Sequence, residues 1–225
     1  MPETLGAVIV AAGSGTRMGD IDKAFAPLDG RPLIARTLSA FQACAAVSRV
    51  ILVLAAENLD RGRALVVEHQ FTKVAAVCAG GPGRQDSVRM GLEALGECEW
   101  VAVHDGARPL VTRELIEAGL EASRETGAAV PALRLVDTIK EADAGGTVVR
   151  TLDRGRLWAA QTPQVLRYDL IVRAHQEVTA HVTDDAAMLE SLGLAVKVFP
   201  GSRQNIKITT PEDLRLAEAM LAAER

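Results

Sequence analysis

Four short, almost wholly apolar runs, separated by stretches of helical period, constrain this chain more than any other feature. Gly6-Ala-Val-Ile-Val-Ala-Ala12, Val50-Ile-Leu-Val-Leu54, Val74-Ala-Ala-Val-Cys78 and Trp100-Val-Ala-Val-His104 read as strands buried on both faces of a parallel sheet. Leu33 to Cys44, Leu59 to His69, Ser87 to Leu95 and Glu114 to Ser123 repeat apolar residues three and four apart, which puts those residues on one face of a helix. Strand and helix in alternation predict βαβ units. The class is α/β: a single Rossmann-like, mostly parallel sheet covered by helices.

After a further short strand expected at Ala128 to Leu133, the pattern breaks. Thr138-Ile-Lys140 and Thr147 to Leu152 are β-like and are joined by the turn-forming Asp143-Ala-Gly-Gly146, so residues 137–157 predict an inserted hairpin arm. A two-stranded ribbon is marginally stable alone, which predicts that a second copy of the chain covers it. Regular pattern returns with a helix near Asp184 to Ser191, a strand at Val196 to Phe199 and a last helix opened by Thr210-Pro-Glu-Asp213. In that opening Thr stands at the N-cap and Pro at the first helical position. With no repeat or linker, residues 1–225 read as one domain carrying the arm.

Charge and cysteine usage narrow the function classes. The 25 basic and 29 acidic residues are interspersed, for a net charge of −4, which argues against a nucleic acid polymer as partner. Cys44, Cys78 and Cys98 have no C-x-x-C spacing, suggest neither disulfide framework nor zinc site, and read as buried structural thiols in a reducing compartment. Thr4 to Thr16, the longest stretch free of Asp, Glu, Lys and Arg, falls well short of the ~20 apolar residues that span a bilayer. A cytoplasmic protein with no membrane partner is expected.

Three segments carry chemistry. Ala11-Ala-Gly-Ser-Gly-Thr-Arg-Met-Gly19, with Lys23 beyond it, follows the first strand; its glycines free backbone amides for an anion, and Arg17 and Lys23 add charge, so a triphosphate suits it. It matches neither G-x-G-x-x-G nor the Walker pattern, and as plain structure it is a tight turn. Gly80-Gly-Pro-Gly-Arg-Gln-Asp-Ser87 opens a helix after a strand; its amides and Ser87 suit a base or ribose, or it is only a turn. Val103-His-Asp-Gly-Ala-Arg-Pro109 puts Asp105 and Arg108 at the C-terminal end of a buried strand, where open α/β sheets bind ligands. There Asp105 suits Mg²⁺ and Arg108 a phosphate, unless the two simply brace the turn as an ion pair. Lys207 alternates with Ile206 and Ile208 on an expected short strand and points away from them. Thr183-Asp-Asp185 reads first as a helix N-cap with acids in the first turn. The four histidines show no ligand spacing, and no G-x-S-x-G or Cys/His pair offers a covalent nucleophile. Cations and amides for phosphate, one acid for a metal and no nucleophile describe phosphoryl-type transfer by positioning and electrostatics.

At this point the chain resembles a known family nearly end to end, the 2-C-methyl-D-erythritol 4-phosphate cytidylyltransferases of the non-mevalonate isoprenoid pathway. The resemblance is carried by Ala11-Ala-Gly-x-Gly-x-Arg with Lys23, Gly80-Gly with Arg84-x-Asp-Ser-Val88 and His104-Asp-x-Ala-Arg-Pro109. Asp137-Thr138, Asp153-Arg154, Thr162-Pro-Gln164, Thr183-Asp184 and Asn205-Ile-Lys207 with Pro211-Glu-Asp213 continue it in family order. It implies an enzyme that, with Mg²⁺, turns CTP and 2-C-methyl-D-erythritol 4-phosphate into 4-diphosphocytidyl-2-C-methyl-D-erythritol and pyrophosphate. By position, Ala11, Ala12, Gly13, Arg17 and Lys23 would hold the triphosphate, Arg17 and Lys23 stabilising charge at the α-phosphate, with Lys207 joining them as a catalytic cation. Gly81 and Ser87 would read cytosine and ribose, and Asp105 would serve the metal and both substrates. Arg108, Thr138 and Lys207 would line the polyol phosphate site. Arg154 and Thr162, also substrate-binding, would belong to the arm region, which in the family reaches across a homodimer, so that Arg154 would complete the partner's site. Pro82 stands where family members often carry an acid. Ribitol 5-phosphate cytidylyltransferases look similar through the nucleotide half, and a nucleotide-binding module without turnover is the remaining alternative.

Overall fold

The computed structural model describes residues 4–13 and 23–223. Strands β1 (Leu5–Ala11), β2 (Pro27–Leu28), β3 (Arg31–Pro32), β4 (Val47–Leu54), β5 (Val74–Ala79) and β6 (Trp100–Asp105) are joined through helices α1 (Leu33–Ala43), α2 (Leu59–Glu68) and α3 (Arg84–Leu95). Helix α4 (Arg113–Ser123) leads to β7 (Ala128–Arg134), followed by β8 (Lys140–Ala142), β9 (Val148–Thr151), β10 (Trp158–Ala160) and β11 (Gln164–Arg167). Helices α5 (Tyr168–Glu177) and α6 (Asp185–Ser191), strand β12 (Lys197–Pro200) and helix α7 (Pro211–Ala223) complete the chain. No helix among the described residues is long and apolar enough to cross a membrane.

The central sheet is mostly parallel. Strand β1 lies between β4 and β6, parallel to both, and β5 adds in parallel beyond β4. On the other side β11 inserts antiparallel between β6 and β7, and β12 pairs in parallel with the far edge of β7. Strands β10 and β11 run along the same edge of β7: Trp158–Ala160 oppose Arg134–Ala132, and Val165 and Leu166 oppose Ala129 and Ala128. Gln161, Thr162 and Pro163 bulge out between them, which puts Thr162 in the body of the sheet rather than in the arm region, a correction to the sequence reading. Its cause is register, because the bulge keeps that line of strand against β7 on both sides.

Alternate residues of the buried strands feed two cores. Ala7 and Ile9 of β1 pack with Leu38 and Phe41 of α1, Leu52 of β4 and Ile116 of α4; Val8 packs with Val53 of β4, Leu92 of α3, Ile171 of α5 and Met188 of α6. A smaller cluster joins Ile208 to Leu28, Leu33 and Ala217. Strands β8 and β9 form their own two-stranded sheet, the expected hairpin. Asp143 Oδ1 accepts from the amides of Gly145 and Thr147, both at 2.9 Å, and Gly146 takes the left-handed conformation at φ 80° that closes the turn. From residue 136 to 151 every side chain except Ile139 is exposed, including Val136, Val148 and Val149.

Candidate active site

A cleft of about 460 Å³ opens where the chain leaves β1, β5 and β6 at their C-terminal ends. Strand β1 is followed on one side by β4 and β5 while β6 returns to its other side, so this is the topological switch point where open α/β sheets take ligands. Val10 to Gly13 form one wall, the turn Gly81-Pro82-Gly83 with Arg84 and Ser87 the opposite one, and Asp105 and Gly106 the floor. Lys23, from a short 3-10 turn, and Lys207 also line it. The walls approach closely because Gly80 has no side chain: a Cβ there would lie 2.4 Å from the Ala12 Cβ and 2.6 Å from Ser87 Oγ. The Ser87 hydroxyl braces the turn by accepting from the Gly81 amide at 3.2 Å and donating to the Gly83 carbonyl at 2.9 Å. Asp86 Oδ2 takes the Gly83 amide at 3.1 Å and so caps α3.

A second cleft of about 250 Å³ is lined by Arg108, Gln161, Thr162, Gln164, Thr183 and Asp184, and it shares Arg84, Asp105 and Lys207 with the first. Asp105 is the seam between the two. Its Oδ1 accepts from Arg84 Nε at 3.2 Å, and its Oδ2 pairs with Lys207 Nζ at 2.7 Å and Arg108 Nε at 3.8 Å. Burial works to raise its pKa, but Arg84 first, then Lys207 and Arg108, hold the carboxyl well below the usual range. Arg108 donates Nη1 to the Asn205 carbonyl at 2.8 Å, and its buried Nε has no hydrogen-bond partner among the described residues. The Asp105–Arg108 ion pair, the alternative reading of these two residues, is a long contact, and the close partners of Asp105 are Arg84 and Lys207.

The histidine of the same strand fixes the floor from beneath. Fully buried His104 is held near pKa 4 by burial, against the pull of Asp105, and is neutral. Its Nε2 lies 3.2 Å from the Arg108 carbonyl, which only accepts, so Nε2 carries the proton and Nδ1 is an acceptor. Thr162 Oγ1, 3.0 Å from Nδ1, thus donates to it while accepting from the Asp105 amide at 3.0 Å. The one hydroxyl proton of Thr162 is committed inside the protein.

Lys207 sits on an irregular segment rather than the expected strand. Ile208 donates its amide to the Ala107 carbonyl at 2.8 Å and is fully buried, which turns the neighbouring Lys207, 42% exposed at its side chain, toward Asp105. Asp213 Oδ2 gathers the amides of Thr209 and Thr210 at 2.7 and 2.8 Å, anchoring this segment to the cap of α7. Asp184 caps α6 as expected, accepting from the Ala187 amide at 2.9 Å, and Gln164 Nε2 donates to its other oxygen.

Ala11, Ala12, Gly13, Lys23, Gly81, Ser87, Asp105 and Lys207 all line the first cleft, and Arg108 and Thr162 the second. Arg17 lies outside the described residues. Thr138 and Arg154 are exposed and line neither cleft; Arg154 Nη1 donates to the Val136 carbonyl at the base of the arm. The residue sequence reasoning passed over is Arg84, which lines both clefts. Its signal was legible, since a cation at the first position of a helix opposes the helix dipole and needs acids elsewhere to hold it. No group of three or more His, Cys, Asp or Glu among the described residues forms a metal cage. Asp105 is the only acid among the described residues lining the first cleft, which fits a magnesium ion held by one carboxylate together with substrate phosphates and water.

Residues 5–223 match the family profile described as IspD, 2-C-methyl-D-erythritol 4-phosphate cytidylyltransferase. A 2-C-methyl-D-erythritol 4-phosphate cytidylyltransferase from Dehalococcoides mccartyi (strain CBDB1) is 51% identical over 223 residues, covering 99% of this chain and 98% of the relative. The crystal structure of 4-diphosphocytidyl-2C-methyl-D-erythritol synthase from Anaerococcus prevotii DSM 20548 superposes with a TM-score of 0.86 at 31% identity, covering 98% of this chain and 96% of that one. The 2-C-methyl-D-erythritol 4-phosphate cytidylyltransferase from Thermus thermophilus gives 0.79 at 33% identity, covering 96% of this chain and 98% of that one. With a match that runs from the first strand to the last helix, and relatives similar over their whole length, the chain belongs to the 2-C-methyl-D-erythritol 4-phosphate cytidylyltransferase family.

Proposed function

We propose that this protein transfers CMP from CTP to 2-C-methyl-D-erythritol 4-phosphate. A phosphate oxygen of the polyol attacks the α-phosphorus of CTP, the bond from that phosphorus to the bridging oxygen breaks, and pyrophosphate leaves as 4-diphosphocytidyl-2-C-methyl-D-erythritol forms. The observation that carries this reading is the seam: two clefts share Asp105, Arg84 and Lys207, so a nucleotide in one and a phosphorylated polyol in the other would meet there. In the larger cleft the Ala11 to Gly13 backbone and Lys23 hold the triphosphate, Arg17 being given the same role by its sequence position alone, and the turn at Gly81 with Ser87 sides the base and ribose. In the smaller one Arg108 and Lys207 take the polyol phosphate, and Asp105 takes its hydroxyls. Preorganised cations stabilise the charge that develops on the α-phosphate, and no covalent nucleophile is needed. Bound Mg²⁺, held through Asp105 and the triphosphate, would neutralise phosphate charge.

The hairpin, residues 137–157, is read as the arm of a homodimer that carries Thr138 and Arg154 to the partner's site, supported by its exposed valines and by neither residue lining a cleft of its own chain. A cytoplasmic location belongs to the same reading, supported by three free cysteines. The test is pyrophosphate release from CTP with purified protein, offered 2-C-methyl-D-erythritol 4-phosphate or ribitol 5-phosphate. Release with the first substrate is expected. Preference for ribitol 5-phosphate would overturn the acceptor, and CTP binding without release from either would leave a nucleotide-binding module.

A further inference from the structure

We infer that Arg84 is a positioning residue for the transfer reaction, holding the Asp105 carboxylate in its orientation at the seam while buried Asp185 anchors the guanidinium from behind. This rests on the reading of Asp105 as the group that meets both substrates. Arg84 stands at the first position of α3, where the helix dipole disfavours a cation, so helix stability does not explain it. Its planar fork spans two acids from different elements: Nε reaches Asp105 Oδ1 at the end of β6 at 3.2 Å, and Nη2 reaches Asp185 Oδ2 at the start of α6 at 2.8 Å. A guanidinium has fixed donor directions, so holding one carboxylate rigidly aims the donor that meets the other.

The behaviour of Asp185 supports a purpose other than stability. Its side chain is 0% exposed, and its Oδ1 has no hydrogen-bond partner among the described residues. Burying a charge this way costs more than apolar packing of the same volume, so a buried pair is weak evidence for stability and calls for another reason. With Oδ1 of Asp105 fastened by Arg84, the Lys207 ammonium on Oδ2 is free to turn toward an incoming phosphate without the carboxylate rotating after it. Asp105 then stays aimed while its other partner changes.

The pair also suggests its own control. Removing Arg84 alone strands the Asp185 charge in the interior and lowers stability whatever Arg84 does for catalysis. Removing both charges separates the two roles. The parent, R84Q, D185N and the double variant R84Q/D185N are compared by thermal unfolding and by kcat and KM for CTP and 2-C-methyl-D-erythritol 4-phosphate. R84Q is expected to lose both stability and turnover. The double variant is expected to regain the melting temperature of D185N but to keep a kcat deficit approaching 10²-fold against it, the scale of a 1 Å misplacement of a reacting group. Recovery of turnover together with stability would overturn the inference, because Arg84 would then only neutralise Asp185. A change confined to the KM for CTP would overturn it too, by making Arg84 a nucleotide contact. A parent inactive with every polyol phosphate refutes the transfer reading and this inference with it, whereas an active parent with an active double variant refutes the inference alone.

Discussion

Replacing Thr162 with valine removes one oxygen from beneath the site and leaves the shape of the side chain in place. Thr162 is 4% exposed, and its hydroxyl holds two buried partners, the Asp105 amide as donor and His104 Nδ1 as acceptor, each at 3.0 Å. A valine leaves both unsatisfied at about 1–3 kcal/mol apiece, so a loss of roughly 2–4 kcal/mol is expected once partial relaxation is allowed. In a chain of 225 residues, where 1 kcal/mol moves the midpoint by about 2–4 °C, Tm should fall by roughly 5–15 °C. Thermal unfolding followed by circular dichroism reads that shift, with Thr162→Ser as control. Serine keeps the hydroxyl and loses one methyl, so it should cost only about 1 kcal/mol and leave both KM values near the parent. A valine variant as stable as the parent, with only the polyol KM raised, would refute the reasoning by giving the hydroxyl to the substrate.

Two further outcomes follow from groups already placed. Burial holds His104 near pKa 4 against an ordinary 6.5, so the unfolded chain takes up a proton that the native state refuses. Stability from this group is complete above pH 6.5 and falls by up to about 3 kcal/mol as pH drops to 4; a His104 imidazole resonance titrating near 6.5 would contradict it. On the arm, replacing Val148 and Val149 by lysine should dissociate the proposed dimer in sedimentation velocity and lower turnover while the melting of the central sheet stays unchanged, and a parent that sediments as a monomer would remove the arm's role.

Where local pattern and tertiary packing agreed, the chain was readable. The strands β1, β4 and β6 are apolar because both of their faces are covered, whereas β5, at the edge of the sheet, is only partly buried with Ala75 exposed; α6 and α7 announce themselves through Asp184 and the Thr210-Pro211 start. The turn Asp143 to Gly146 was equally plain, because Asp143 and Gly146 each supply what the turn requires. Strands β10 and β11 were not legible, being three and four residues long and paired antiparallel to segments far away in sequence. Helix α5 lacks a capping side chain, since Arg167 stands at its N-cap and spends its guanidinium on Asp169, so its start carries no signal. Of the site, the strand-end residues were visible as motifs. Arg84 gave only one sign in sequence, a cation at the first position of a helix, and its partner stayed out of view because Asp185 reads as an ordinary first-turn acid yet is fully buried.

The insertion of β11 between β6 and β7 sets an order of assembly. A growing chain completes β6 at Asp105 yet cannot cover that edge until Arg167 has left the ribosome, an interval of roughly 3–12 s at synthesis rates of about 5–20 residues per second. For that time the nascent half-sheet carries a bare row of backbone donors and acceptors flanked by apolar side chains, the kind of edge that invites mispairing between neighbouring chains. The segment that seals it also brings Thr162 to the Asp105 amide. The last strand to enter the middle of the sheet thus braces the Asp105 end of the seam, and Lys207, farther along the chain, completes it, so unfinished chains never display a working site.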